Sequence, residues 1–183
     1  MAFVIACTNR KGGTGKTCFA LTLARVYATV GRTLLVDCDG DQGDAFAEAI
    51  GNDDPTGIDP VRSALGFDAV WAITASDVPS FDPYDTVVLD GRPSGENAVE
   101  LLPAANLVVI PCLEGARSTR GAEAITAMAL ALGIPAVRVW NLTGDHAGIP
   151  KVKASLMVGG TLPDRHAMRL FERVETARRA HGG

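Results

Sequence analysis

The residues best suited to chemistry lie in one short stretch of this chain, Thr8–Thr17, which reads T-N-R-K-G-G-T-G-K-T. It follows the apolar run Phe3–Cys7, which has the length of a buried strand, and it precedes Cys18–Ala28, which has helical apolar spacing. Glycines let the backbone curl so that successive N–H groups point inward, and the helix N-terminus behind them favours an anion. The stretch therefore predicts a phosphate-binding loop.

Two side chains of this loop add to the prediction. Lys16 supplies a mobile positive charge for the outer phosphates, and Thr17 supplies a hydroxyl for Mg²⁺. The general pattern G-x-x-x-x-G-K-[ST] is not met, because no glycine stands at its first position. We expect the phosphates to be bound by Gly12, Gly13, Thr14, Gly15, Lys16, Thr17 and Cys18.

The sequence K-G-G-T-G-K-T resembles the deviant Walker A loop of the ParA/MinD family of P-loop ATPases, including Asn9 two residues before Lys11. The resemblance implies ATP and Mg²⁺ as ligands and hydrolysis to ADP and phosphate. In that family the first lysine, here Lys11, reaches across a dimer interface to the nucleotide of the other subunit. A homodimer that encloses ATP is therefore implied. Cys18 stands where the family usually repeats threonine, but its backbone N–H is retained.

Length and composition favour one globular domain, 1–183, that is soluble and cytoplasmic. The 183 residues are 47% hydrophobic and 21% charged, which is enough to bury a core. No apolar run approaches the ~18 residues needed to span a bilayer, and no signal-like segment precedes Phe3. The cysteines lack C-x-x-C spacing and are expected to be buried thiols: Cys7, Cys18, Cys38 and Cys112.

Apolar strands alternate with helical segments along the chain, which predicts an α/β fold with a mostly parallel, twisted sheet and helices on both faces. This is the Rossmann-like architecture of P-loop NTPases. Strands are predicted at Phe3–Cys7, Thr33–Asp39, Ala69–Ile73, Thr86–Asp90, Leu107–Ile110 and Ala136–Trp140. Helices are predicted at Cys18–Ala28, Ala45–Ile50, Glu96–Ala104 and Ser118–Leu132, with one or two helical turns at Val61–Leu65.

Acidic residues end two of these strands. Asp90 follows Val87–Leu89, the Walker B pattern, in which a carboxylate at a strand tip can hold Mg²⁺ through water. The resembling family has D-x-D-P-Q after the second strand, and its second aspartate positions the attacking water. That role falls to Asp39, and Asp37 would lie near the Mg²⁺ shell. The alternative for Asp37 and Asp90 is a helix-capping or solvated acid.

The sequence departs from the family pattern at two places. Asp37–Gln42 lacks the proline and has one added residue, so a different switch loop is expected. After Asp90, the family's D-x-P-P becomes D-G-R-P, and we hypothesise that Arg92 modulates hydrolysis or dimer contact. Asn141 ends the last strand, where an asparagine in the family hydrogen-bonds adenine; a simple turn residue is an equal alternative.

The chain is acidic up to residue 150 and basic after it, with net charges of −8 and +4. The segment Thr161–Asp164 has the pattern of a helix start. On the helix that follows, arginines recur at every fourth position, opposite an apolar face. Contacts with DNA phosphates are therefore predicted for Lys151, Lys153, Arg165, Arg169 and Arg173. The alternative is a solvated helix face.

The resemblance implies a short ParA-type partition ATPase. Its ATP-bound dimer would bind nucleoid DNA non-specifically, and a centromere-binding or cargo-adaptor protein would stimulate hydrolysis. The result would be positioning of a plasmid, chromosome or other cargo, without a membrane partner. Two alternatives stay open: a MinD-like ATPase that cycles on membranes, and a metabolic P-loop ligase of the dethiobiotin-synthetase type.

Overall fold

The computed structural model describes residues 1–40, 43–51, 59–72, 75–78, 80–92, 97–113, 116–140 and 164–181. The strands in these ranges are β1 (Phe3–Cys7), β2 (Thr33–Asp37), β3 (Val61–Arg62), β4 (Asp68–Trp71), β5 (Thr86–Asp90), β6 (Leu107–Cys112) and β7 (Ala136–Trp140). The α-helices are α1 (Lys16–Tyr27), α2 (Asp44–Ile50), α3 (Asn97–Glu100), α4 (Ala116–Ala131) and α5 (Asp164–Ala180).

The strands of the described ranges form one sheet in the order β3-β4-β2-β5-β1-β6-β7. Every neighbouring pair is parallel except β3 and β4, which are antiparallel. Asp90 at the end of β5 lies in register with Asp37 of β2 on one side and Cys7 of β1 on the other. The carboxyl ends of the central strands therefore meet at one edge of the sheet.

Helices cover both faces of the sheet. One buried apolar cluster joins β1, β2 and β6 to α1, α2 and α5, and it includes Phe19, Leu23 and Leu170. The other cluster packs Leu102 and Ile125, from the α3–β6 region and α4, against the opposite face. The predicted mostly parallel α/β sheet with helices on both faces is confirmed.

Two local predictions were wrong. The helical turns predicted at Val61–Leu65 are instead the edge strand β3, because Arg62 pairs with Asp68 across a tight reversal of the chain. An ion pair of 3.0 Å between Arg62 Nη1 and Asp68 Oδ1 accompanies this pairing. The helix predicted at Glu96–Ala104 is divided into α3 and a 3₁₀ turn at Leu102–Ala104, since Pro103 has no N–H to continue an α-helix.

All four cysteines are free and buried, which confirms the prediction of buried thiols. Burial raises the pKa of the Cys18 thiol to about 11. None of the helices in the described ranges is long and apolar enough to cross a membrane.

Candidate functional site

The loop between β1 and α1 has the backbone shape that an anion-binding site requires. Gly13 and Gly15 have φ of 71° and 92°, in the left-handed region that favours glycine. Gly15 immediately precedes α1, and in the described part of the chain no side chain caps this helix. The first backbone N–H groups of α1 can therefore bind a negatively charged group held by the loop.

Lys16 is folded against this loop. Its side chain is buried, with 6% of its surface exposed, and its Nζ donates to the carbonyl of Lys11 at 3.4 Å. Burial lowers the pKa of Lys16, and the nearby carboxylates of Asp90 and Asp39 oppose that shift. A buried ammonium beside two carboxylates and a row of N–H donors is suited to the outer phosphates of a nucleotide.

Asn9 holds the β1–α1 loop in place through two side-chain hydrogen bonds. It is fully buried; its Nδ2 donates to the carbonyl of Pro111 at 2.7 Å, and its Oδ1 accepts from the backbone N–H of Lys11 at 3.1 Å. The side chain thus ties the loop to the end of β6. Lys11 itself is exposed, whereas Lys16 is buried.

Gly121 on α4 passes so close to Asn9 that no side chain fits between them. A Cβ at Gly121 would lie 2.7 Å from Asn9 Oδ1. Gly→Ala inside a helix usually stabilises by ~0.5–1 kcal/mol. Here we expect Gly121→Ala to destabilise the fold by ~1–2 kcal/mol, because buried Asn9 must move. Nucleotide affinity should fall about tenfold.

Urea unfolding and nucleotide titration check this expectation. The exposed neighbour Arg120→Ala is the control, and it should change neither quantity. A Gly121→Ala protein that is more stable than the wild type and binds nucleotide equally well would contradict the role of Asn9 as a brace.

Asp90 and Thr17 form the centre of the candidate cation site. Asp90 is buried, and its Oδ1 has no hydrogen-bond partner within the described residues. Burial, reinforced by the carboxylate of Asp37, raises the pKa of Asp90 to about 8, while Thr17 and Lys16 act in the opposite direction. An unsatisfied buried oxygen beside a hydroxyl fits Mg²⁺, which also takes water and phosphate oxygens as ligands.

No group of three or more His, Cys, Asp or Glu side chains arranged to hold a metal is found in the described ranges. Mg²⁺ in proteins usually keeps several water ligands and is bound through one or two carboxylates together with substrate phosphates. Such an ion would be held by Asp90 and the hydroxyl of Thr17 and would neutralise charge on the phosphates.

Asp37 has contacts typical of a helix cap. Its Oδ1 accepts from the backbone N–H of Asp39 and its Oδ2 from that of Phe46, each at 2.9 Å. Both oxygens thus hold the segment that leads into α2. This is the capping alternative considered for the sequence; that Asp37 also contacts the magnesium shell stays a prediction.

Asp39 follows β2 and is held by its backbone. Its carbonyl accepts from the indole Nε1 of Trp71 at 2.8 Å and from the N–H of Gly43 at 3.0 Å. Its carboxylate Oδ1 lies 3.3 Å from Nε of Arg92, which follows β5. Local sequence gave no sign of the Trp71 contact, because this side chain comes from a different strand.

The remaining predicted residues fall on α5 or outside the described residues. Arg169 and Arg173 are exposed, whereas Leu170 and Val174 are buried against the domain, so the predicted amphipathic helix is present. Arg165 lies in α5, but its side chain is outside the described set. Three further predicted residues lie outside the described ranges: Asn141, Lys151 and Lys153.

Comparison with solved structures identifies relatives of the same fold. A plasmid partition protein from Borrelia burgdorferi has a TM-score of 0.66 at 16% identity, covering 97% of this chain and 100% of that one. The septum site-determining protein MinD from Pyrococcus horikoshii, complexed with Mg-ADP, also has a TM-score of 0.66 at 16% identity, covering 93% of this chain and 77% of that one.

Cobyrinic acid a,c-diamide synthase from Mycobacterium smegmatis, with bound ATP analogue and magnesium, has a TM-score of 0.62 at 19% identity, covering 94% of this chain and 78% of that one. At these identities the likeness shows the fold alone. No curated protein sequence matches the chain significantly. The family model described as the CobQ/CobB/MinD/ParA nucleotide binding domain matches residues 5–179. The chain therefore belongs to the CobQ/CobB/MinD/ParA family of nucleotide-binding domains.

Proposed function

We propose that this protein is a ParA-type ATPase that binds ATP with Mg²⁺, dimerises around it and hydrolyses it to ADP and phosphate. The observation that carries the proposal is the difference in exposure between the two lysines of the loop. Lys16 is buried beside Asp39 and Asp90, whereas Lys11 is exposed on a backbone braced by Asn9. A second, exposed cation is suited to the nucleotide of another copy.

Each residue around the phosphates has a separate proposed role in hydrolysis. The loop N–H groups and Lys16 bind the phosphates, and Thr17 and Asp90 hold the cation. Asp39, at the end of β2, would orient the attacking water. Such sites act mainly by positioning reactants and neutralising charge, so fixed backbone contacts around Asp39 favour this role.

Non-specific DNA is the proposed partner surface of the dimer. Arg169 and Arg173 lie exposed on α5, one helical turn apart. The other face of this helix is fixed to Tyr27 of the domain. Phe171 packs edge-on against the Tyr27 ring, with the ring centroids 5.1 Å apart, and Glu175 accepts a hydrogen bond from the Tyr27 hydroxyl at 2.6 Å. A rigid helix that presents two arginines can contact successive phosphates without reading bases. Arg178, by contrast, stacks over Phe3 and contributes less to this surface.

The same packing argues against α5 as a membrane-binding helix. Insertion into a lipid surface requires a free apolar face. Here Ala167, Leu170 and Val174 are buried within the domain, which leaves Met168 as an exposed large apolar residue on this helix. We therefore favour DNA over the MinD-like alternative. The proposed output is ATP-dependent positioning of a plasmid, chromosome or other cargo, with an adaptor protein that stimulates hydrolysis.

Binding to random-sequence DNA with an ATP analogue tests this assignment. Arg169→Ala/Arg173→Ala should weaken binding ~10–100-fold and reduce the slope of log K against log salt by about 2, since each phosphate contact contributes about 0.9. Arg62→Ala/Arg120→Ala removes the same charge from exposed positions elsewhere and should leave affinity and slope nearly unchanged.

DNA binding that is equal in the two double variants would refute the α5 surface. Sedimentation with anionic liposomes is the companion assay. ATP-dependent liposome binding without DNA binding would support the membrane-cycling alternative instead.

A further inference from the structure

Arg92 occupies a position where the resembling family has proline, and it is paired with the residue proposed to orient water. Its Nε lies 3.3 Å from Asp39 Oδ1, and the two side chains are 21% and 18% exposed. The pairing follows from the sheet: Asp37 and Asp90 are in register on adjacent strands, and the two partners each come two residues later. Arg92 is thus placed at the phosphate end of the sheet by β5.

The carboxylate is the part of Asp39 that can respond to a ligand. The backbone N–H donates to Asp37, and the carbonyl accepts from Trp71 and Gly43. With the backbone held on both sides, the direction of the carboxylate depends on its rotamer and on its ionic partners. Arg92 is therefore in a position to determine which way Asp39 points.

A bound phosphate is chemically suited to compete with Asp39 for this guanidinium. The carboxylates of Asp90 and Asp39 both raise the pKa of Lys16, which is the lysine proposed to bind the outer phosphates. The outer-phosphate position and the Arg92–Asp39 pair therefore belong to the same electrostatic environment. A terminal phosphate carries more charge than a carboxylate, and arginine can bind it through two parallel N–H bonds. In a triphosphate this terminal group is the third phosphate, the γ-phosphate, which a diphosphate lacks.

We propose that Arg92 is a specificity and positioning residue that leaves Asp39 for the terminal phosphate of bound ATP and thereby releases the Asp39 carboxylate to orient water. The exchange makes the site selective for ATP over ADP and links the freeing of Asp39 to the presence of a third phosphate. This inference rests on the proposed ATPase function.

Affinities for ADP and for a non-hydrolysable ATP analogue, both with Mg²⁺, test the exchange. Arg92→Ala should bind the analogue about tenfold more weakly, since a charge-assisted contact is lost. Its affinity for ADP should change less than twofold. Arg92→Lys keeps the charge without the planar fork and should retain part of the preference. Arg62→Ala, which breaks the ion pair with Asp68 at the far edge of the sheet, should retain all of it.

A double-mutant cycle separates exchange from a fixed structural pair. In an Asp39→Asn background, Arg92 no longer has to give up a carboxylate partner. Removing Arg92 should then cost at least threefold more affinity for the ATP analogue than it does in the wild type. The mass of each complex, recorded by sedimentation, distinguishes altered binding from altered dimerisation.

Equal losses for both nucleotides, or no loss for either, would overturn the proposal, as would an unchanged cost of removing Arg92 in the Asp39→Asn background. A wild-type protein that binds neither nucleotide would contradict the proposed function itself. That outcome is distinct, because it is read from the unmodified chain.

Discussion

Replacing Asp90 by asparagine is expected to make the protein more stable at alkaline pH while removing its Mg²⁺-dependent nucleotide binding. The carboxylate is buried, one oxygen has no partner among the described residues, and burial beside Asp37 raises its pKa to about 8. Asparagine keeps the shape without the charge. We expect a gain on the order of 1–3 kcal/mol at pH 9, because the substitution removes a buried negative charge while a polar group remains in its place.

The expected pH dependence follows from proton binding by Asp90. Between its ordinary pKa of 3.8 and about 8, the folded protein holds a proton that the unfolded chain has released. The contribution of Asp90 to the free energy of unfolding is therefore greatest at low pH and is lost progressively as the pH rises through that interval. Asp90→Asn should remove this decline, so the difference between variant and wild type should grow from pH 6 to pH 9.

Urea unfolding at several pH values measures the stability and its pH dependence, and nucleotide titration with and without Mg²⁺ measures the binding. Asp82→Asn at an exposed position is the control and should follow the wild type throughout. An Asp90→Asn protein that is less stable than the wild type at pH 9, or that keeps the same pH dependence, would show that the carboxylate has stabilising partners in the fold.

Lys16→Ala is expected to lose nucleotide binding, whereas Lys11→Ala is expected to lose dimerisation and hydrolysis. Lys16 is buried within the loop, so its loss should weaken nucleotide binding at least ~100-fold, as expected for a charged contact to phosphate. Lys11 is exposed, so Lys11→Ala should bind nucleotide within about tenfold of the wild type. It should nevertheless fail to dimerise, and its phosphate release should fall at least ~100-fold.

Calorimetry with nucleotide, sedimentation and phosphate release distinguish these steps. Arg10→Ala removes an adjacent exposed cation of the same loop and should behave like the wild type in all three. A Lys11→Ala protein that dimerises and hydrolyses normally would contradict the proposed role of Lys11 at the nucleotide of the second copy, and the metabolic ligase alternative requires no such role.

Much of the fold could be predicted from the sequence because its signals are local. β1, β5 and β7 begin and end where their apolar runs do, and the glycine loop is recognisable by its spacing alone. β3 could not be predicted, since a two-residue edge strand is defined by its partner and not by its own pattern.

The contacts that shape the site could not be read from local sequence. Asn9 reaches Pro111 across 102 residues and is confined by Gly121 of a third element. The resemblance implies a place near the cation for Asp37, and local sequence does not show that its two oxygens also hold the start of α2. The sequence marks Arg92 as a departure from the family pattern, but its pairing with Asp39 depends on the register of β2 and β5.

Sedimentation equilibrium of the wild-type protein with Mg²⁺ and a non-hydrolysable ATP analogue tests the account most directly. We predict a mass of twice the 19.1 kDa chain with the analogue and a single-chain mass with ADP, with the doubling abolished by Lys11→Ala. A protein that binds the analogue tightly and still sediments as one chain at all concentrations would contradict the account.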